Sequence, residues 1–235
     1  MFAYIVVSLP VFLPVLFWAG YHLYVDRHLP EPVGHLFLAF FLGVGSYHLG
    51  GALYGGLEVV GLRHDAFHLA QSNLPGLFAY SVLAIGVIEE MVKIIPFLLV
   101  VLRFQEFDEP IDGIIYASFI ALGFAAIENL HYLQFLDQTE AYLRGFAGPV
   151  VHIVFASFWG YHIGRAHLRG VSLLATSAIC LLLAASFHGI YDFIVIGMPP
   201  AALPISALMI AGLWLWRLWL IRDLHTHYAS TRDER

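Results

Sequence analysis

The chain has little charge and almost no lysine or cysteine. Charged residues make up 12% of its 235 positions, and it contains one lysine, Lys93, and one cysteine, Cys180. A single cysteine excludes an internal disulfide and a cysteine-rich metal site. The arginines form no basic stripe and the net charge is −6, so we predict no nucleic-acid partner.

Most of the remaining sequence is apolar. Hydrophobic residues make up 60% of the chain, and the mean hydropathy is +0.79. These values exclude an ordinary soluble domain and predict an all-α, polytopic bundle in the cell membrane. Seven runs are long enough to cross the bilayer, near residues 2–25, 33–56, 75–102, 111–136, 146–167, 171–197 and 201–221. The start of the chain lacks a basic n-region, so the first run is predicted to be a retained span.

The organisation predicted from these runs is one integral membrane domain over residues 1–235, with its catalytic core helices at about 75–197. Arginines give the orientation, because cytoplasmic connectors are enriched in them. With seven spans and the N-terminus outside, the cytoplasmic side receives Arg27, Arg103, Arg165, Arg169, Arg217, Arg222, Arg232 and Arg235. The outer side receives only Arg63 and Arg144. The N-terminus is therefore predicted outside and the C-terminus inside.

The third run contains the lone lysine together with two glutamates. Glu89, Glu90 and Lys93 lie where each ion costs at least ~2.5–3.5 kcal/mol by insertion scales. On a helix, Glu89 and Lys93 are four residues apart and share a face, so they can neutralise each other. Glu90 is rotated from Glu89 by about 100° and faces another element.

Three further runs carry ionisable groups away from their ends. Their members are Glu128 and Asn129 in the fourth, His152 in the fifth, and His188 and Asp192 in the sixth. At 1.5 Å rise per residue, Glu128, His152 and His188 lie roughly 9–14 Å below the outer ends of their runs. Glu89 lies about 20 Å from the outer end of its own run. In lipid such groups must face the bundle interior, so one cluster opening toward the outer half of the bilayer is predicted.

These residue types indicate hydrolytic chemistry. Glu128, His152 and His188 can bind a divalent metal, most readily zinc, with a fourth position open to water. Glu89 or Glu90 can take the proton of that water, with or without a metal. Asp192, one helical turn after His188, can orient its imidazole. The Asn129 amide can stabilise an oxyanion.

Other functions use the same residues. Glu89 with Lys93 can be a structural ion pair, and a histidine such as His152 is often a hydrogen-bonded packing residue. A proton- or cation-coupled transporter can use the cluster as a relay, although no internal inverted repeat is visible. A metal- or haem-binding sensor is a third alternative, given thirteen histidines.

The combination of short motifs resembles the PrsW family of intramembrane proteases, which is related to the type II CAAX prenyl endopeptidases. The matching elements are Glu-Glu-x-x-Lys at Glu89, Glu90 and Lys93, Phe-x-x-x-Glu-Asn at Phe124, Glu128 and Asn129, a lone His152, and His-x-x-x-Asp at His188 and Asp192. The segment from Glu106 to Tyr116 also resembles the family's link between the first two motifs.

The resemblance implies an endopeptidase that cuts membrane-associated proteins, by a metal or a glutamate mechanism. It further implies a substrate similar to an anti-sigma factor, on which related bacterial members act. Because no sizeable extramembrane domain is visible in the sequence, substrate capture is expected to use the helices and short loops.

Overall fold

The computed structural model describes residues 2–27 and 30–233, and side chains within 9–27 and 30–226. Within these residues the chain forms helices and no β-strand, which confirms the predicted all-α bundle. The α-helices are α1 (Phe2–Val25), α2 (Val33–Val59), α3 (Ala66–Ser72), α4 (Leu74–Tyr80), α5 (Val87–Leu99), α6 (Pro110–Tyr132), α7 (Gln138–Leu168), α8 (Leu173–Gly197) and α9 (Leu203–Asp233).

Five helical segments of the described chain are long and apolar enough to cross a membrane. They are Val33–Val59, Pro110–Phe135, Gln138–Leu168, Leu173–Gly197 and Pro200–Thr226. Each coincides with a predicted run, so the chain is a multi-pass membrane protein. The other two predicted runs correspond to α1, whose apolar part Leu9–Val25 is shorter, and to the interrupted segment α4–α5. Seven spans and the outside N-terminus therefore stay predictions, and the side chains of Arg232 and Arg235 lie outside the described residues.

Helix α6 lies at the centre of the bundle, packed mainly against α7 and α2. Most of its side chains between Ile111 and Asn129 are buried. A capping box between Glu109 and Asp112 fixes its start, and Pro110 is its first residue. Close approach to α2 depends on a glycine, because a Cβ at Gly43 would overlap the carbonyl oxygen of Ile120. This packing buries Asp112, Ser118 and Asn129 of α6.

The third predicted run is continuous from α4 to α5 but passes through a π-helix at Ser81–Gly86. This π-helix packs tightly against α8. A Cβ at Gly86 would overlap the carbonyl oxygen of Ala185, and one at Gly189 would overlap the backbone of Ser81 and Val82. Glu89 and Glu90 follow the π-helix directly, so this contact sets where they lie relative to His188.

A short helix covers the end of the bundle where α2 finishes. The segment between α2 and α4 contains α3, and Asp65 is its N-cap. The Asp65 Oδ1 accepts hydrogen bonds from the backbone N–H groups of Phe67 and His68. Helix α3 contacts α4 and α8. Its residues Ala66 and Phe67 line the cavities that also contain Glu89 of α5 and Glu128 of α6.

Candidate active site

Glu90 is the centre of a fully enclosed hydrogen-bond network. Its Oε1 lies 2.6 Å from Lys93 Nζ and 2.7 Å from His188 Nδ1, and its Oε2 accepts a 2.9 Å hydrogen bond from Trp159 Nε1. Glu90, Lys93 and Trp159 have no exposed surface. The network therefore joins α5, α7 and α8 around one carboxylate.

Lys93 pairs with Glu90 and not with Glu89, the partner that the four-residue spacing suggested. Residues three apart on a helix are neighbours as well as residues four apart, so the periodicity allows either glutamate. Packing decides between them: Glu90 points into the bundle interior with Lys93, and Glu89 points toward a cleft. The Lys93 ammonium also lies 4.9 Å from the centre of the Phe124 ring.

His152 connects Lys93 to Glu128. Its Nδ1 lies 3.2 Å from Lys93 Nζ, and its Nε2 lies 2.9 Å from Glu128 Oε2. Arg144 Nη2 lies 3.2 Å from the same Glu128 oxygen, and the Arg144 guanidinium stacks on the Tyr132 ring at 3.7 Å. The Glu128 carboxylate is thus held from two sides and still reaches the cleft.

Glu89 completes a compact group with the two histidines. One ligand atom from each of Glu89, His152 and His188 lies within 4.8 Å of the others. Glu89 is 9% exposed, and its Oε2 has no hydrogen-bond partner among the described residues. Two imidazoles and one carboxylate form a donor set of catalytic zinc sites, and an unpartnered buried carboxylate oxygen fits a metal ligand. The residues therefore fit a divalent ion.

The predicted metal set was Glu128, His152 and His188, whereas the compact group has Glu89 in place of Glu128. The two glutamates face each other across the same cleft, and Glu128 remains bonded to His152. The rings of His152 and His188 are 5.3 Å apart, so α7 and α8 meet at this group.

Asp192 and Asn129 take different positions from those of the central group. Asp192 Oδ2 lies 3.7 Å from His188 Nε2, beyond hydrogen-bond distance, and Glu90 holds the other ring nitrogen of His188. Asn129 is buried behind Gly148 of α7, and its amide has no partner among the described residues. Asn129 does not line either cavity beside Glu89.

Two cavities meet at Glu89 and Glu128, beneath α3. One has a volume of about 420 Å³ and extends along α2, and the other, of about 200 Å³, extends between α7 and α8. Both are lined by Ala66, Phe67, Ile85, Glu89, Glu128 and Tyr132. A substrate can therefore reach the carboxylates from outside the bundle.

Sequence reasoning missed Trp159 and Arg144. The sequence does not single out Trp159 within the fifth predicted run, and it assigns Arg144 only to the outer side of the membrane. Both lie on the same face of α7 as His152, seven residues after it and eight before it. That spacing was the available signal for both residues.

Comparison with known proteins gives the family. Residues 31–218 match the sequence model of a family described as PrsW family intramembrane metalloprotease. Protease PrsW of Oceanobacillus iheyensis is 29% identical over 177 residues, covering 75% of this chain and 77% of that protein. Protease PrsW of Clostridioides difficile is 30% identical over 176 residues, covering 72% and 71%. Protease PrsW of Bacillus subtilis is 28% identical over 172 residues, covering 72% and 73%.

No solved structure matches the chain. The matched region contains all eight predicted site residues, from Glu89 to Asp192. The matches support proteolysis and not the transporter alternative. The chain belongs to the PrsW family of intramembrane metalloproteases and is a membrane-embedded protease.

Proposed function

We propose that this protease hydrolyses a peptide bond of a membrane-associated protein at the cleft between Glu89 and Glu128. One observation carries the proposal: three ligand-type residues from α5, α7 and α8 lie within 4.8 Å of one another, where two cavities meet. A transporter relay requires no such compact donor set open to a cleft.

Glu89, His152 and His188 would hold a divalent metal, and zinc suits their nitrogen and oxygen donors. Such an ion, when bound, polarises a carbonyl and lowers the pKa of a bound water. Glu90 would act as a positioning residue, because it hydrogen-bonds His188 Nδ1 and leaves Nε2 on the side of Glu89. Lys93 balances the charge of Glu90 in the bundle interior.

In this proposal Glu128 is the general base and Glu89 is a metal ligand, the reverse of the roles predicted for these two residues. Its carboxylate takes a proton from water as the water oxygen bonds to the carbonyl carbon of the substrate. The carbon–nitrogen bond then breaks, and Glu128 returns the proton to the leaving amine. Arg144 holds the Glu128 carboxylate at the cleft, since the His152 nitrogen that contacts Glu128 is the one free to turn to the metal. The products are a carboxylate and an amine.

Asp192 and Asn129 have supporting roles in the proposal. Asp192 adds a carboxylate beside His188 Nε2 at the wall of the smaller cavity. Asn129 packs behind Gly148 and shapes that wall from inside. An anti-sigma-factor-like membrane protein is the candidate substrate, and this part rests on the family resemblance.

The experiment is cleavage of a membrane reporter protein by purified protein in liposomes. Glu128→Gln should lower the cleavage rate by about 10²–10⁴-fold, the usual contribution of a general base. Glu89→Gln should abolish cleavage. Glu106→Gln is the matched control, because Glu106 is half exposed and pairs with His35 near the start of α2, away from the cleft. Wild-type rates for both Glu89→Gln and Glu128→Gln would refute the proposed site.

A further inference from the structure

The cleft divides into two branches of different size on either side of the two glutamates. The α2 branch has a volume of about 420 Å³, within the range of pockets that hold ligands, and the α8 branch has about 200 Å³. A protease needs room for substrate on both sides of the bond that it cuts. The two branches meet at Glu89 and Glu128, so this space lies beside both carboxylates.

The α2 branch is wide because its wall on α2 carries two adjacent glycines. Gly50 and Gly51 line it, with the half-buried rings of Tyr47, Tyr54 and Tyr80 around them. A Cβ placed on Gly51 would have no heavy atom of the described residues within 4 Å, apart from its chain neighbours and the adjacent backbone of α2. The space beside Gly51 is therefore open, and the three tyrosine rings suit a large apolar or aromatic side chain. Arg63, His64 and His131 also line this branch.

The α8 branch is smaller, and its lining combines aliphatic side chains with the ring of Tyr191. Val151 of α7 and Val195 and Ile196 of α8 line it, with Gly148 at the α7 side. Arg144 and Asp192 occupy its polar part near the glutamates. This branch has about half the volume of the α2 branch, so it suits a smaller side chain than the α2 branch does.

We infer that the two branches are the subsites for the residues that flank the scissile bond. The α2 branch takes a bulky apolar or aromatic side chain, and the α8 branch takes a small aliphatic one. Gly51 sets the size limit of the first subsite and Val195 that of the second. This inference rests on the proposed function, because it assumes that hydrolysis occurs between Glu89 and Glu128.

The test uses single-span reporter proteins with a randomised apolar segment, reconstituted with the purified protease in liposomes. Mass spectrometry of the products identifies the residues on each side of the cut. The wild type should select a bulky residue on one side and a small aliphatic residue on the other. Gly51→Leu should lower the ratio of kcat/KM for phenylalanine over alanine at the bulky position by at least about tenfold.

Gly45→Leu is the matched control, because Gly45 is an exposed glycine of the same helix and its Cβ position is also open. It should leave the preference at wild-type values. Val195→Phe is a reciprocal variant on another helix, and it should restrict the small-residue position without changing the bulky one. This second variant keeps the test decisive if Gly51→Leu fails to fold.

The outcomes separate the inference from the function on which it rests. A wild type that cuts no reporter would overturn both. A wild type that cuts, with flanking preferences that neither Gly51→Leu nor Val195→Phe changes, would overturn the subsite inference and leave the proposed function standing. Equal shifts in Gly45→Leu and Gly51→Leu would also overturn it.

Discussion

At the residue scale, the arrangement around Glu90 explains how one lysine is kept inside an apolar bundle. Lys93 is fully buried, and Glu90 gives it a 2.6 Å ion pair. The same carboxylate is hydrogen-bonded to His188 and Trp159, so it links α5, α7 and α8. Glu90 therefore serves both the stability of the bundle and the orientation of a candidate metal ligand.

Glu90→Gln should lower the thermal unfolding midpoint and abolish cleavage, because it leaves the Lys93 ammonium buried without a counter-charge. Removing one partner of a buried ion pair costs about 3–5 kcal/mol. The double variant Glu90→Gln with Lys93→Met should regain most of the midpoint, since no unpaired charge remains, but not the activity. Thermal melts and reporter cleavage in the same detergent measure both quantities. An unchanged midpoint in Glu90→Gln would contradict this role.

The residue types of the site could be predicted from the sequence, but their pairing could not. Ionisable groups in apolar runs must face the interior, which is why Glu89, Glu128, His152 and His188 were expected to converge. Helical periodicity places Lys93 near both Glu89 and Glu90, at four and three residues. Only the rotation of α5 against its neighbours decides between them, and that rotation depends on tertiary packing.

At the element scale, the π-helix before α5 is the feature that the sequence concealed. A hydrophobic pattern analysed at 3.6 residues per turn does not reveal the extra residue of a π-turn. Such turns are frequent at functional sites. Gly86 and Gly189 allow the π-helix and α8 to touch through their backbones. The contact determines that His188 meets Glu90 through Nδ1 and Glu89 on the side of Nε2.

The five long helices were predictable because each is an apolar run bounded by charge, proline or capping residues. The capping box at Glu109 with Asp112 begins α6 next to the predicted start near 111. The box at Asp137 with Glu140 begins α7 at Gln138, well before the predicted start near 146. Helix α3 was not predicted, because seven residues with half-polar composition give no periodic signal. Its importance comes from its position above the cleft, which is a property of the fold.

At the scale of the whole molecule, the end of the bundle opposite the cleft carries a second group of buried carboxylates. Asp26, between α1 and α2, is 3% exposed and accepts a 2.7 Å hydrogen bond from the backbone N–H of Glu31. Burial, together with the carboxylates of Glu31 and Glu109, raises the pKa of Asp26 to about 7, although the hydrogen bond from the Glu31 N–H lowers it. Burial also raises the pKa of Glu31, which accepts a hydrogen bond from the Tyr116 hydroxyl.

This pKa predicts a pH dependence of stability. An unfolded aspartate has a pKa of about 3.9, so between pH ~4 and pH ~7 the folded state binds more protons at Asp26 than the unfolded state. The contribution of Asp26 is thus fully present below pH ~4 and is lost as the pH rises to about 7. Asp26→Asn should remove this loss. The unfolding midpoint of the variant should therefore rise relative to that of the wild type as the pH increases from ~4 to ~7. Parallel midpoint curves for the two proteins would contradict the prediction.

The most direct test of the candidate site is the metal content of the purified protein, measured by mass spectrometry on the preparation used for cleavage. We expect about one divalent ion per chain in the wild type. Glu128→Gln should keep the ion and lose cleavage, whereas Glu89→Gln should lose both. A wild-type protein without metal that cuts at full rate, or a Glu89→Gln protein with its metal intact, would contradict the account.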